Sequence, residues 1–461
     1  MTRCNRGVLI IGLLLVLAPT LVFAGGFNLA GAGMKGLAMS GAFRAIADDW
    51  SAMYWNPAGL AGQGTGIYLE AKVLFPNTRI IPNTPSTVPD YDGYYLYRNG
   101  VEQSSINGGR PTGSFAFQWQ FSDKLTAGLA AFTPNALGAD WENLYLGPYP
   151  GYGDNPEYPD QAWMSSMYVI DIHPTVGYML TEKLSVGAGL SIKVASIELQ
   201  SPALVPGRNP ETGDRLPLPG SHYFIDATLK GSEIGVGFNL GVLYHVNDKL
   251  STALTFVGPS LIPIDGTLSQ TLYLPALAGG GTVEVEPDAK ADFPIPMEVG
   301  AGVAYKFTPE FTAAFDVKWT QWSSLDVIDI ELDGTGPDGQ PANDTELILN
   351  WEDTVRFNVG FMWDVSEAVQ LRAGYYFDPT PIPGETMRPT ITDVADKHSW
   401  SFGLGYDFGN GFTVDGTYQH LWGNDNDAEA ADNDGDGLYD NVPGTWNMQV
   451  ITIGVQLGYR F

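Results

Sequence analysis

Asp432, Asn433, Asp434, Gly435, Asp436 and Gly437 carry the spacing that opens a calcium loop. Carboxylates fall at positions 1, 3 and 5 and a glycine at 6, where a hard cation needs oxygen ligands and the chain needs a sharp turn. Asp440 falls at position 9, but Pro443 occupies position 12, where a bidentate glutamate belongs. Two readings stand: calcium on Asp432, Asp434 and Asp436, stiffening the 425–440 loop, or a solvated acidic loop. Other chemical motifs fail their context. Gly31-Ala32-Gly33-Met34-Lys35-Gly36 matches a dinucleotide fingerprint, yet no strand pattern precedes it. The chain has no phosphate-binding P-loop, no His-Glu-x-x-His and no Gly-x-Ser-x-Gly. His398 and Ser399 are adjacent, and neighbouring strand residues face opposite ways, so they make no catalytic pair. The 5 histidines are scattered. No catalytic residue and no cofactor beyond that calcium is expected.

The elements that must carry these residues are strands. From Ile451 to Phe461 every second residue is apolar: Ile451, Ile453, Val455, Leu457, Tyr459 and Phe461. Thr452, Gly454, Gln456, Gly458 and Arg460 stand between them. One face suits lipid and the other a polar lumen, the pattern of a strand closing a transmembrane barrel. Trp400, Phe402, Leu404, Tyr406 and Phe408 alternate in the same way, as do Leu184, Val186, Ala188, Leu190 and Ile192. At the other end, Arg3 and Arg6 precede an apolar run from Val8 to Ala18, and Val22-Phe23-Ala24 offers a cleavage site. This reads as a secretory signal peptide cut near Ala24. The single cysteine, Cys4, lies inside it, so the mature chain can form neither a disulfide nor a thiolate metal site. No later run reaches the ~20 apolar residues of a membrane helix. The net charge of −29 moves to about −31 when both leader arginines go, which argues against nucleic acid as a partner.

Six short polar turns punctuate the chain, at 121–125, 181–184, 246–250, 307–311, 364–367 and 408–412. Longer connections rich in Pro, Gly, Asp and Asn fall near 78–110, 134–167, 201–221, 267–290, 333–344, 379–395 and 423–445. Together they require about 14 antiparallel strands, with short turns periplasmic and long loops outside. The expected architecture is all-β: a signal peptide (1–24), a non-alternating segment that could plug the lumen (25–63), and a transmembrane antiparallel β-barrel of about 14 strands (64–461). Lys193, Lys318 and Arg372 would face the lumen, either solvated or steadying a substrate carboxylate.

Several segments resemble one family. Gly26-Phe27 opens the mature chain, and Ala47-Asp48-Asp49 leads into Trp55-Asn56-Pro57-Ala58-Gly59-Leu60. Asp316 to Leu325 forms a tryptophan-rich stretch; Tyr376 to Pro383 and Asp396 to Trp400 follow. In order and spacing these resemble the outer-membrane long-chain fatty-acid transporters of the FadL type, which include importers of aromatic hydrocarbons. The 201–221 loop and the strand Leu254 to Ser260 depart from that family's pattern, and both bear on substrate capture. The resemblance implies a Gram-negative outer-membrane barrel with a hatch in its lumen. It implies passive passage of a hydrophobic small molecule, sideways through a wall gap and into the bilayer beneath the lipopolysaccharide. It places Phe27, Asn56, Pro57 and Ala58 on the hatch and substrate path.

Given the wall gap and capture site that the resemblance implies, the residues offer candidates for each. Pro134 lacks a ladder donor, so Phe132, Pro134, Leu137 and Gly138 mark either an inward kink or a plain strand end. Leu272, Tyr273, Leu274 and Leu277 form an apolar loop patch for capture, or pack between loops; Leu144, Tyr145, Leu146 and Tyr149 form another. Against the transporter stand a diffusion porin for polar solutes and an outer-membrane lipid enzyme or adhesin. A barrel with its own hatch is expected to work as a monomer.

Overall fold

The computed structural model describes residues 26–83, 100–105, 108–141, 163–206, 222–274, 281–336, 340–431, 433 and 441–461. Fourteen antiparallel strands close into a barrel. They are β1 (Gly66–Pro82), β2 (Arg110–Ser122), β3 (Leu125–Trp141), β4 (Trp163–Met179), β5 (Leu184–Pro206) and β6 (His222–His245). Four interrupted strands follow: β7 (Leu250–Val257 and Ser260–Tyr273), β8 (Asp288–Ile295 and Glu298–Lys306), β9 (Phe311–Thr320 and Val327–Asp333) and β10 (Thr345–Ile348 and Thr354–Asp364). The last are β11 (Val369–Asp378), β12 (Lys397–Asp407), β13 (Phe412–Gly423) and β14 (Gly444–Arg460). β1 and β14 close the ring along their whole lengths, from Gly66↔Arg460 to Pro82↔Gly444.

Alternation decides which side chain meets lipid. On β14, Ile453, Val455, Leu457 and Tyr459 are exposed, while Thr452 and Gln456 are buried inside. On β12, Trp400, Phe402, Leu404 and Tyr406 face out, and Lys397, Ser399 and Ser401 face in. His398 and Ser399 thus stand on opposite faces; the His398 ring stacks on Trp422 and takes a 2.6 Å hydrogen bond with the Tyr375 hydroxyl. Outward side chains gain the transfer free energy of apolar surface into hydrocarbon, about 25 cal/mol per Å².

All six short turns connect consecutive strands. The long connections begin later than their loop-like composition suggests. β3 runs through Pro134 to Trp141, β5 reaches Pro206 and β7 reaches Tyr273. Proline and polar residues are tolerated where a strand rises beyond hydrocarbon or folds inward, so composition marks the edge of the apolar band rather than the end of the strand.

Residues 26–63 pack among the lumen-facing side chains. The segment holds two short helices, α1 (Met34–Ala38) and α2 (Ala52–Trp55), and a 3-10 turn, Pro57–Leu60. The formal dinucleotide fingerprint has a packing role. Gly33 has φ +82° and donates its amide to Glu70 Oε2 at 2.7 Å, and Gly31 and Gly36 leave room for the Trp55 indole. Below, the turn rests on Gly177, Gly187 and Gly241 of three successive strands. A Cβ at Gly187 would lie 2.2 Å from the Pro57 carbonyl carbon. Gly187→Val should therefore displace the turn at a cost of about 1–3 kcal/mol while leaving the barrel folded. The expected result is raised ion conductance in a planar bilayer with unchanged heat-modifiable migration on a gel. Conductance equal to the parent would refute the turn's role as a floor.

Candidate functional site

The β2–β3 ladder stops halfway up. Its last pair is Phe115↔Ala131, although β2 continues to pair with β1 up to Arg110↔Leu74. On its other edge β3 carries a bulge: the register with β4 slips between Phe132↔Asp171 and Asn135↔Val169. Proline at 134 has no amide hydrogen to give a neighbour, so the ladder loses nothing by breaking there. Beyond the bulge β3 pairs with the N-terminal segment instead. Leu29 N donates to Pro134 O at 2.9 Å and Ala136 N to Phe27 O at 2.8 Å, around an Asn28↔Asn135 bridge. One Thr112–Thr133 hydroxyl contact, at 3.3 Å, spans the wall.

A cavity lies inside this break. Phe132, Pro134 and Asn135 line one side, and Tyr54, Trp55 and Pro57 of the N-terminal segment line another. Thr255, Phe256, Val257, Ile295 and Pro296 form the far wall. Its polar floor is tied together: His173 reaches Ser191 Oγ at 3.1 Å and Asn239 Oδ1 at 3.2 Å, and Lys193 Nζ donates to Ser260 Oγ at 2.7 Å. The aromatic walls stack edge-on, Tyr54 against Phe132 at 5.6 Å and against Trp55 at 4.8 Å. The arrangement offers apolar surfaces for a hydrophobic body and a few fixed polar groups, the composition of a small-molecule site.

Charge fixes the segment over the cavity. Asp316 Oδ2 accepts from Phe43 N, Arg44 N and Arg44 Nη1 at 3.0–3.1 Å, fully buried. Asn28 Nδ2 donates to Glu298 Oε1 at 2.6 Å, which also takes Lys318 Nζ at 2.8 Å. Trp50 Nε1 and Met34 N both donate to Gln456 Oε1. At the outer end, the Gly26 amide and the Lys397 ammonium both donate to the Asp393 carboxylate. Burial pushes the Asp393 carboxyl up to about 6 despite that ammonium.

The sequence-predicted residues separate into groups. Phe27 is buried beside the cavity, its ring on Trp322 at 4.9 Å, Phe293 at 5.3 Å and Trp351 at 5.9 Å. Pro57 lines the cavity and Ala58 is buried behind it. Asn56 holds the turn: its amide donates to Arg44 O and Val242 O, and its oxygen accepts from Ala58 N. Phe132 and Pro134 line the cavity, while Leu137 and Gly138 lie beyond the bulge, paired to Met167 and Ser166. Leu272, Tyr273 and Leu274 are half-buried at the outer end of β7, away from the cavity. Leu277, the 144–149 patch, the signal peptide and Asp432, Asp434 and Asp436 lie outside the described residues. Sequence reasoning missed Tyr54, His173 and Glu298, and read Trp55 and Asn135 only as neighbours of the Asn56-Pro57 motif and of Pro134. Of the three missed, only Tyr54, beside Trp55, had a local signal.

Known proteins share this architecture. A family model described as outer membrane protein transport protein (OMPP1/FadL/TodX) matches residues 15–461. A Neisseria meningitidis serogroup B protein with the provisional name outer membrane protein NMB0088 is 24% identical, over 99% of this chain and 98% of its own. Among solved structures, a Pseudomonas aeruginosa FadL homologue superposes with a TM-score of 0.75 at 18% identity, covering 95% of this chain and 100% of that one. The Pseudomonas putida toluene transporter TodX gives 0.73 at 17% identity, covering 94% and 99%. At such identities the two structures speak for the fold.

Two outcomes follow from the charge contacts. Asp316→Ala leaves Arg44 buried without its partner, a loss of about 3–5 kcal/mol that should loosen the N-terminal segment and lower the melting temperature. An unchanged melting temperature and unchanged protease resistance of residues 26–63 would rule out this anchor. Asp393 binds its proton in the fold near pH 6, before an unfolded chain does. From this group, stability is lost as pH rises through about 6 and gained toward pH ~4. Asp393→Asn should flatten the melting curve's pH dependence across that window; an unaltered slope would show that the carboxyl does not titrate there.

Proposed function

This chain belongs to the OMPP1/FadL/TodX family of outer-membrane transport proteins, and we propose that it admits hydrophobic molecules to the cell by passive lateral diffusion. The molecule enters from outside, occupies the cavity beside Phe132 and Pro57, and leaves through the β2–β3 break into the bilayer. Residues 25–63 act as the hatch. The observation that carries this reading is the ladder ending at Phe115↔Ala131, with Phe132 and Pro134 turned onto the cavity. An apolar solute crosses the lipopolysaccharide layer poorly but gains about 0.8 kcal/mol per buried CH₂ once in hydrocarbon, so no energy source is needed. The lumen filled by residues 26–63 favours this over an open porin.

The substrate class is a long-chain fatty acid or an aromatic hydrocarbon. A carboxylate would find Lys193 on the cavity floor; toluene would need only the aromatic walls. The barrel is proposed to work as a monomer among lipopolysaccharide, after cleavage near Ala24. Calcium on Asp432, Asp434 and Asp436 would stiffen a surface loop without entering transport.

Uptake by intact cells tests the route, with labelled oleate and toluene as probes. Deleting Pro134 removes the extra residue, restores the β3–β4 register and should let the β2–β3 ladder extend. Uptake should then fall several-fold, with the barrel still folded. Uptake equal to the parent's would eliminate the β2–β3 break as an exit. Binding of oleate over toluene to the purified barrel would place the chain with the fatty-acid carriers; the reverse would place it with the hydrocarbon carriers.

A further inference from the structure

A second break in the wall lies across the cavity from the first. β6 pairs with the lower half of β7 from His245↔Ser251 to Asn239↔Val257, and with its upper half from Ser232↔Asp265 to Phe224↔Tyr273. Residues 233–238 of β6 have no ladder partner on β7; the Gly258 N to Phe238 O bond, 2.9 Å, ends the lower ladder. The same residues stay fully paired to β5 on their other edge. Pro259 and Pro263 deprive this stretch of β7 of two donors, and β8 breaks at the matching height, beside Pro296.

This stretch of β7, still paired to β8 from Ser260↔Ile295, lies against the lumen face of β6. A Cβ at Gly235 would fall 2.9 Å from Leu261 O, and one at Gly237 would fall 3.3 Å from Ser260 Cβ. The two glycines let one strand lie over the lumen face of the other, so the seam is closed by contact and not by hydrogen bonds. In hydrocarbon, an unpaired ladder group costs several kcal/mol and is kept only where it is covered or lines a cavity. Here it does both. Phe256, Val257 and Pro296 line the cavity directly inside. Outside, Ile234, Val236, Phe238 and Leu261 are exposed as a lipid-facing rim.

Both breaks stand at one height. Thr133 and Gly258 each lie eight positions beyond their strand's first residue, Leu125 and Leu250. At ~3.3 Å per residue and ~40° of tilt this is roughly 20 Å above the periplasmic rim, within the ~25 Å apolar band. We infer that the β6–β7 seam is a second lateral exit, gated by the Ser260–Pro263 stretch, through which the same apolar molecule reaches the bilayer without displacing the Phe27–Leu29 pairing. The inference rests on the lateral-diffusion reading above.

Cysteine locks separate the two exits, because Cys4 is the only native cysteine and lies in the leader. Thr112→Cys with Thr133→Cys closes the first break. Gly237→Cys with Ser260→Cys closes the seam, with Gly235→Cys and Ile262→Cys as the alternative pair; disulfides need Cβ atoms about 3.5–4.5 Å apart. Oleate and toluene uptake is measured in cells, oxidised and then reduced, so that each reduced variant reports its own folding. A pair that gives no reductant-sensitive mobility shift is replaced by the other pair. The first lock alone should leave at least a tenth of the reduced rate, and both locks together should abolish it. Complete loss with the first lock alone would overturn the second exit. Full uptake with both locks closed would overturn lateral diffusion itself and send the molecule through the lumen.

Discussion

Backbone hydrogen bonding in hydrocarbon is the constraint on which this molecule rests. A strand in lipid must pair on both edges, and only a closed ring gives every strand two neighbours. The β1–β14 ladder, unbroken from Gly66 to Pro82, supplies that closure. Against so strict a requirement, each place where the ladder stops is informative. It stops beside Pro134 and beside Pro259, where the wall is backed by one cavity, and it also lapses beside Pro174 and between β8, β9 and β10 beyond Glu298↔Thr320 and Thr320↔Thr354.

The contents of the lumen follow from a different balance. The N-terminal segment is held by groups that are polar on both sides: Asp316 with Arg44, Glu298 with Asn28 and Lys318, Gln456 with Trp50. A buried ion pair adds little net stability compared with an apolar replacement, but breaking it is costly. Such contacts fix one position with great selectivity. Apolar packing on the glycine floor adds area without direction. The segment is therefore placed by charge and supported by shape.

Much of the barrel was legible because its signal is local. Alternation on β12 and β14 and the six turns need only a short window of sequence, and both gave strands where strands stand. Breaks in the ladder are not local. Pro134 was visible, but whether the chain ends a strand there or bulges depends on Phe27 and Leu29, brought over from more than a hundred positions away. The departure of Leu254 to Ser260 from the family pattern was noticed, yet its meaning depends on Gly235 and Gly237 in the strand before it. Asn56 was placed on the hatch by its motif, but its role as a cap depends on partners Arg44 and Val242 from separate elements. Asp316 is visible in the sequence only as the start of a tryptophan-rich stretch, since its role as an anchor depends on a guanidinium 272 positions away.

The aromatic and polar sides of the cavity also divide the work. Phe132, Tyr54 and Trp55 belong to β3 and the N-terminal segment, the elements that flank the proposed first exit. His173, Ser191, Lys193 and Asn239 belong to β4, β5 and β6; the β5–β6 ladder is continuous there, while the β4–β5 ladder skips His173 and Pro174 between Ile172↔Ile192 and Thr175↔Gly189. A polar floor beneath apolar walls offers a fixed electrostatic reference, tied to the β7 stretch through the Lys193–Ser260 hydrogen bond. It also keeps water-binding groups off the path into lipid, where each unsatisfied one would raise the barrier by several kcal/mol. The selectivity of such a site then comes from what the floor refuses to release, and its speed from how cheaply the walls part.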